Sequence, residues 1–370
     1  MASNGKNGTN GLKPTGKTMK AQQYHASDNS MHLNEVPIPT PKPHEILVKI
    51  ACASLCHSDV MLFEPNDQGL LLAEGGGGVT MGHEATGYVV EVGDGVKGLG
   101  VKDDFKAGDA VGFICPMECC FDCYPCREVH NNYCVTGKTK MQGFGLDGYF
   151  QEYAIVDARN TMVLPKAMDV HAAAPLFCAG VTSYHSIEDC KLKPGQWVAV
   201  IGCGGLGHLG IQYAKAMGLK VIALDIAPGP LAEAKNIGAD HVFNSLKDTN
   251  YIADILSITS GGVDAAVNFT ASKKSYDAAP AIIRPGSGIL MVVGIPREPI
   301  ALNALDVALG RYRVMGSNNG TCYNMRSCIE FSAEKGIVPH VEYYKLEELP
   351  EMVRLMREGK AIGGRMAVKF

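Results

Sequence analysis

The sequence predicts an α/β protein in which a doubly wound parallel sheet of the dinucleotide-binding kind is joined to a discontinuous β-rich domain. Three observations carry this. An apolar run at 197–201 enters the glycine turn Gly202-x-Gly204-x-x-Gly207, a helical pattern follows, and a second apolar run ends in Asp225. Residues 19–173 show short β-like runs broken by Gly and Pro, whereas 174–317 alternate strand-like and helix-like runs. Residues 318–370 close on a strand-like run, 365–370, expected to return to the first domain.

Taken in chain order, residues 1–18 are mostly Asn, Gly, Lys, Thr and Ser with no apolar segment. They read as a disordered tail rather than a signal peptide or a core element. The remainder is long enough for two cores, since the chain has 370 residues. Charge is nearly balanced, 34 basic against 38 acidic residues for a net −4, which argues against a nucleic-acid or membrane surface. No apolar run approaches a membrane span. Thirteen cysteines without a secretory signal point to a reducing, cytoplasmic setting in which clustered cysteines are metal ligands.

The β-rich part has strand candidates at 45–50, 87–92 and 108–112. It also holds the run Cys120-x-x-Cys123-x-x-Cys126-x7-Cys134, whose spacing can wrap four thiolates round one tetrahedral zinc ion. A closed shell of four sulfurs leaves no place for substrate, so its role is structural. Cys115 and Cys119 break the spacing and stay outside the set. A scattered second group, Cys56, His83 and Cys178, cannot be joined by spacing alone, and each member read singly is ordinary packing.

In the nucleotide-binding part, one glycine of the fingerprint makes the tight turn, one admits a pyrophosphate to the backbone, and one lets helix pack on strand. Gly205 is expected to widen that approach. Leu206, Leu209, Tyr213 and Met217 recur at helical spacing and Gly218 stops the helix, so its N-terminus faces the phosphates. Asp225 is placed to accept hydrogen bonds from ribose hydroxyls, and residues 226–230 contain no Arg or Lys for a 2′-phosphate, which favours NAD over NADP. Further strands are expected at 263–269, 288–294 and 313–316, and helices at 324–335 and 346–358.

The landmarks in order are Cys-His-Ser-Asp at 56–59, Gly-His-Glu at 82–84, the four-cysteine run, Cys-Ala-Gly at 178–180, Gly-x-Gly-Gly-Leu-Gly at 202–207, Val-Gly-Ile-Pro at 293–296 and Gly-Gly-Arg at 363–365. In these the sequence resembles the zinc-dependent medium-chain alcohol dehydrogenases, nearest in pattern to the microbial ones. The resemblance covers nearly the whole chain after residue 18. It implies a GroES-like catalytic domain at 19–173 and 318–370 round a Rossmann domain at 174–317. It further implies hydride exchange between NAD and a primary or secondary alcohol or its aldehyde or ketone, two Zn2+ per subunit, and a homo-oligomer, tetramer or dimer.

By that resemblance Cys56, His83 and Cys178 hold the catalytic zinc, a two-Cys, one-His centre with an open position, as known for alcohol dehydrogenase. Ser58 shares a hydrogen bond with the substrate oxygen, Asp59 orients His83, and Glu84 lies behind the metal as a standby ligand or field-tuning charge. His57 and Arg365 contact the pyrophosphate, and Val293 and Ile295 face the nicotinamide. The sequence departs from the family at Met61, where many relatives carry a proton-relaying histidine, and in the longer segments 64–80 and 93–106. The only tryptophan is Trp197, so the pocket lacks tryptophan walls. Two other readings stand beside the dehydrogenase: a biosynthetic carbonyl reductase for a bulky metabolite, and a cofactor- and zinc-binding protein with little turnover.

Overall fold

The apolar runs of the nucleotide-binding part become a six-stranded parallel sheet because their side chains are apolar on both faces and helices cover both. In space the strands run His241–Asn244, Lys220–Asp225, Trp197–Ile201, Ala265–Asn268, Ile289–Val292 and Arg313–Gly316, which is chain order 3-2-1-4-5-6. That order reverses beside Trp197–Ile201 and opens a crevice at its carboxyl end. Val198 and Val200 enter one core with Val221 and Val267, while Ala199 and Ile201 enter the opposite one with Ile222 and Leu290. The computed structural model that shows this describes residues 12, 14–64, 78–360 and 364–370. The expected strands at 263–269 and 288–294 are shorter, and His241–Asn244 is an additional half-buried edge strand without an apolar run to announce it.

The β-rich part is organised round the long strand Glu45–Ser54, which pairs antiparallel with Glu84–Val92, Tyr153–Asp157 and Arg365–Lys369. The last strand of the chain thus returns to the first sheet, with Val341–Tyr344 outside it in parallel. The helix expected at 324–335 starts earlier, at Cys322, because Thr321 and Asn324 form a capping box; Gly336, at φ +66°, ends it. It does not pack on the first sheet alone. Its Met325, Cys328 and Ile329 pack with Leu209 and Tyr213 of the nucleotide part and with Ala51, Ile114 and Met162 of the β-rich part, making the joint between them.

Two other expectations change. Of the stretch read as a tail, residues 1–11 and 13 lie outside the described residues, but Leu12 packs against the Met19, Leu47, Val90 and Tyr153 cluster, and Thr18 opens the strand Thr18–His25. A single leucine among polar residues carries no periodicity, so the sequence gives no sign of this packing. Segment 64–80 lies mostly outside the described residues. Segment 93–106 is a strut: Val96 and Phe105 enter the β-rich core, while Asp103 pairs with Arg326 at 2.6 Å and Lys102 with Glu330 at 3.0 Å.

His208, at the start of helix Gly207–Ala216, is held neutral by burial. Its Nδ1–H donates to the Gly204 carbonyl at 3.2 Å and Nε2 accepts from the His340 N–H at 3.3 Å, so neither nitrogen is free for a second proton. Burial lowers its pKa to about 4. The unfolded chain protonates this ring near pH ~6.5 and the folded one does not. Its contribution is therefore intact above that pH and is lost as pH falls toward the folded value. His208→Gln should flatten the fall of melting temperature between about pH 7 and pH 4.5; a slope equal to the parent's would refute a neutral His208.

Candidate active site

Sheet register assembles most of the site before any loop is considered. Ser54 pairs with Glu84 on one neighbour and with Ala367 on the other, so three strand ends meet and present Cys56, His83 and Arg365 on one edge. Cys56 caps the short helix His57–Val60 in extended conformation, and Asp59 Oδ2 accepts its backbone N–H at 2.8 Å. The other Asp59 oxygen takes His83 Nδ1 at 2.7 Å with both side chains buried. His83 Nε2 is thereby turned toward Cys178 Sγ, 3.2 Å away. Gly82 precedes His83 at φ +95°, where a Cβ would also strike the Phe150 ring at 2.7 Å. Cys178 arrives from the turn Ala174–Phe177 and leads into helix Ala179–Glu188.

The ligand atoms of Cys56, His83, Glu84 and Cys178 all lie within 4.8 Å of one another and all four residues are buried. Electrostatics polarise this set. Cys56 is held well below the ordinary thiol range, first because the Cys178 thiol donates to it, then, against burial, by the charges of Arg365 and His83. Cys178 moves up for the reciprocal reason and through burial. Burial alone would depress His83, but the Asp59 carboxylate and the Cys56 sulfur outweigh it and raise it well above its usual value. Two sulfurs and an imidazole whose far nitrogen is tied to a carboxylate are the donor set of zinc, and a divalent cation can replace the protons held between them.

Glu84 Oε2 accepts from Ser54 Oγ at 2.7 Å, and its Oε1 pairs with Arg365 Nη2. The Arg365 side chain continues to the glycine turn. A Cβ on Gly205 would lie 2.8 Å from Arg365 Nη1, whereas one on Gly204 would meet nothing within 4 Å. Gly205 therefore also makes room for Arg365, while the space beside Gly204 is open. Buried Arg365 Nε has no hydrogen-bond partner among the described residues, a donor suited to an anion. Gly202 turns at φ +87°, and a Cβ on Gly207 would stand 1.8 Å from the Gly202 carbonyl oxygen. Asp225 accepts N–H groups of Cys203, Ile226 and Ala227, so its carboxylate braces the turn. Leu206 precedes the helix, its carbonyl held by Ser183 Oγ at 2.8 Å.

Ser58 is half-buried with Oγ 3.9 Å from Cys56 Sγ. Val293 is buried and its N–H donates to the Asn268 carbonyl at 3.2 Å. His57 and Ile295 are exposed and stand outside the buried set. In a second cluster the Cys120, Cys123, Cys126 and Cys134 sulfurs also lie within 4.8 Å of one another. The N–H groups of Cys120 and Cys123 donate to sulfurs of the set, each at 3.3 Å, and Cys119 is held instead by Asn131. All thirteen cysteines are free thiols. Sequence reasoning missed Ser54, Phe144, whose ring centroid lies 5.2 Å from that of His83, and the pair Thr182 and Asn319 beside Cys178. Asn318-Asn319-Gly320 reads only as a turn, so nothing local betrays it.

Residues 42–166 match the alcohol dehydrogenase GroES-like domain and residues 205–334 the zinc-binding dehydrogenase family. An alcohol dehydrogenase of Geobacillus stearothermophilus is 35% identical over 361 residues, 95% of this chain and 99% of its own length. The chain belongs to the zinc-binding alcohol dehydrogenase family. It is thus an oxidoreductase between alcohols and their carbonyl partners, as its motifs imply. An alcohol dehydrogenase structure from Aeropyrum pernix superposes with TM-score 0.83 at 28% identity, covering 95% of this chain and 100% of that one. A cinnamyl alcohol dehydrogenase from Sorghum bicolor gives 0.82 at 25% identity, covering 95% and 98%. The expected GroES-like and Rossmann-type parts are both borne out.

The glycines make an internal control. Gly207→Ala puts a methyl into the Gly202 carbonyl and should destabilise by at least the roughly 1–3 kcal/mol typical of overpacking. Gly204→Ala enters open space and should melt near the parent temperature. Equal melting of the two variants would contradict this division of roles.

Proposed function

We propose that this chain is an NAD-dependent alcohol dehydrogenase with two zinc ions per subunit, one held by Cys56, His83 and Cys178 and one by Cys120, Cys123, Cys126 and Cys134. The supporting observation is the buried convergence of two thiols and an imidazole oriented by Asp59. When bound, zinc polarises a substrate oxygen and NAD exchanges a hydride with the substrate carbon. The chain supplies the rest. Asp59 keeps the His83 Nε2 lone pair turned inward, and Glu84 balances Arg365 so that the guanidinium stays at the glycine turn. Arg365, His57 and the Gly204 backbone cradle the pyrophosphate, Asp225 takes the ribose hydroxyls, and Val293 and Ile295 face the nicotinamide. Ser58 Oγ takes the hydroxyl proton of the alcohol and passes it outward.

Trp197 stacks near Lys220 and His241, with Lys220 Nζ 5.2 Å from its ring centroid, at the end of its strand remote from the glycine turn. It cannot wall the substrate site, which favours alcohols larger than ethanol. Steady-state NADH formation with ethanol, benzyl and cinnamyl alcohols tests the reading, beside NAD titration without substrate. Higher kcat/KM for the aromatic alcohols is expected. Cofactor binding without turnover of any alcohol or aldehyde would instead mark a binding protein of the same fold.

Self-association into a homo-oligomer is supported by the exposed Leu305 and Leu309 just before the edge strand Arg313–Gly316. The free thiols fit a reducing, cytoplasmic setting, and among the described residues no helix is long and apolar enough to cross a membrane.

Metal analysis of the purified chain should return two zinc ions per subunit, and Cys123→Ser should lose one together with thermal stability. A single ion in the folded parent would overturn the structural site. Asp225→Gly combined with Ile226→Arg should move preference toward NADP by removing a repelling carboxylate and adding a phosphate partner. A parent that already prefers NADP would contradict the role given to Asp225.

Met61 is half-buried at the start of the turn Met61–Phe63, four residues after His57. A thioether relays no proton. Alcohol oxidation should therefore rise steeply with pH, while carbonyl reduction at mildly acidic pH suffers less. Met61→His should raise oxidation near neutral pH, toward the roughly 100-fold of a well-placed acid–base group. No gain, with a deuterated alcohol showing that hydride transfer limits both proteins, would mean the proton leaves by another path.

A further inference from the structure

We propose that Asn319 is a positioning residue whose carboxamide donates an N–H to the Cys178 sulfur once that sulfur is a thiolate, setting its strength as a metal ligand. The proposal rests on the three-ligand reading above. Cys178 Sγ lies 3.6 Å from Asn319 Oδ1, and Thr182 Oγ1 donates to the same oxygen at 3.2 Å. This arrangement suits a protonated thiol. A thiolate has no proton to give, and a carbonyl oxygen facing it is repelled.

A half-turn of the amide exchanges its oxygen and nitrogen with little displacement of either position. Nδ2 then offers one hydrogen to the sulfur and one to Thr182 Oγ1. The Thr182 hydroxyl can turn its own proton to the Cys178 carbonyl, four residues back in the helix, which already accepts the Thr182 N–H at 2.9 Å. Asn319 sits at φ +50°, a left-handed position that asparagine tolerates well, so the turn alone accounts for the residue type. The turn does not account for a side chain aimed at a sulfur 141 residues away and steadied by a buried hydroxyl. A hydrogen bond to a metal-bound thiolate lowers the energy of the sulfur lone pairs and fixes their direction, as outer partners do for other ligands.

The test uses the cobalt-substituted full chain, in which sulfur-to-metal charge transfer is visible. The part of that band lost in Cys178→Ser is assigned to this centre, and if none is lost the three-ligand reading itself fails. Asn319→Gly keeps the left-handed turn and removes the donor, so the assigned part should move to longer wavelength. Thr182→Val leaves the donor but removes its support and should give a smaller shift the same way. Asn319→Asp sets a carboxylate against the thiolate and should speed zinc transfer to a chelator about 10-fold or more. An unshifted band in Asn319→Gly and Thr182→Val, in proteins that still show the Cys178-dependent part, would assign Asn319 to the turn alone and overturn the proposal.

Discussion

The ion pair between Arg365 and Glu84 joins residues 281 apart and is almost wholly buried. Burying both charges is costly, and removing either partner of such a pair costs about 3–5 kcal/mol because the other is left unpaired. The pair consequently holds three things together: the last strand of the chain, the strand that begins at Glu84, and the glycine turn against which the guanidinium lies. Ser54 completes the satisfaction of Glu84 from the strand between them. The return of the chain to its first sheet is thus chemically coupled to the glycine turn.

The same economy of buried polar groups governs the metal-ligating set. Asp59 satisfies a backbone N–H with one oxygen and His83 with the other, so a fully buried carboxylate has strong partners at both ends. That leaves Cys56, Cys178 and His83 Nε2 meeting chiefly one another, with only the long contacts of Ser58 and Asn319 to the sulfurs besides. Their opposed pKa directions express this: one sulfur is driven toward the thiolate and its neighbour keeps the proton. Such a cluster is poorly satisfied by protons and well satisfied by a cation.

Rigidity follows from where these residues sit. They stand at strand ends and at the residues that cap helices, and the joint made by helix Cys322–Lys335 clamps the two parts through Tyr213, Met325 and Ile329. The strut at 93–106 ties that helix to the β-rich core through Asp103 and Lys102. A segment that reads as a longer loop is therefore part of the support for Cys178 and Asn319, which flank the same helix pair.

The sequence by itself determined whatever depends on neighbours within a few residues. The four-cysteine run, the glycine turn with its strand and helix, and Asp225 at the next strand end are local constructions, because a loop or a strand-turn-helix unit sets their geometry whatever surrounds it. The rest was legible only through resemblance, or not at all. Cys56, His83 and Cys178 become one site because Ser54 and Glu84 share a register and because a distant turn packs on that sheet. Gly205 makes room for Arg365, Leu12 packs where a tail was expected, and Asn319 faces a sulfur from an ordinary-looking turn. These were decided by tertiary structure, since the partners lie far apart in the chain and only strand register and packing bring their side chains within hydrogen-bond reach.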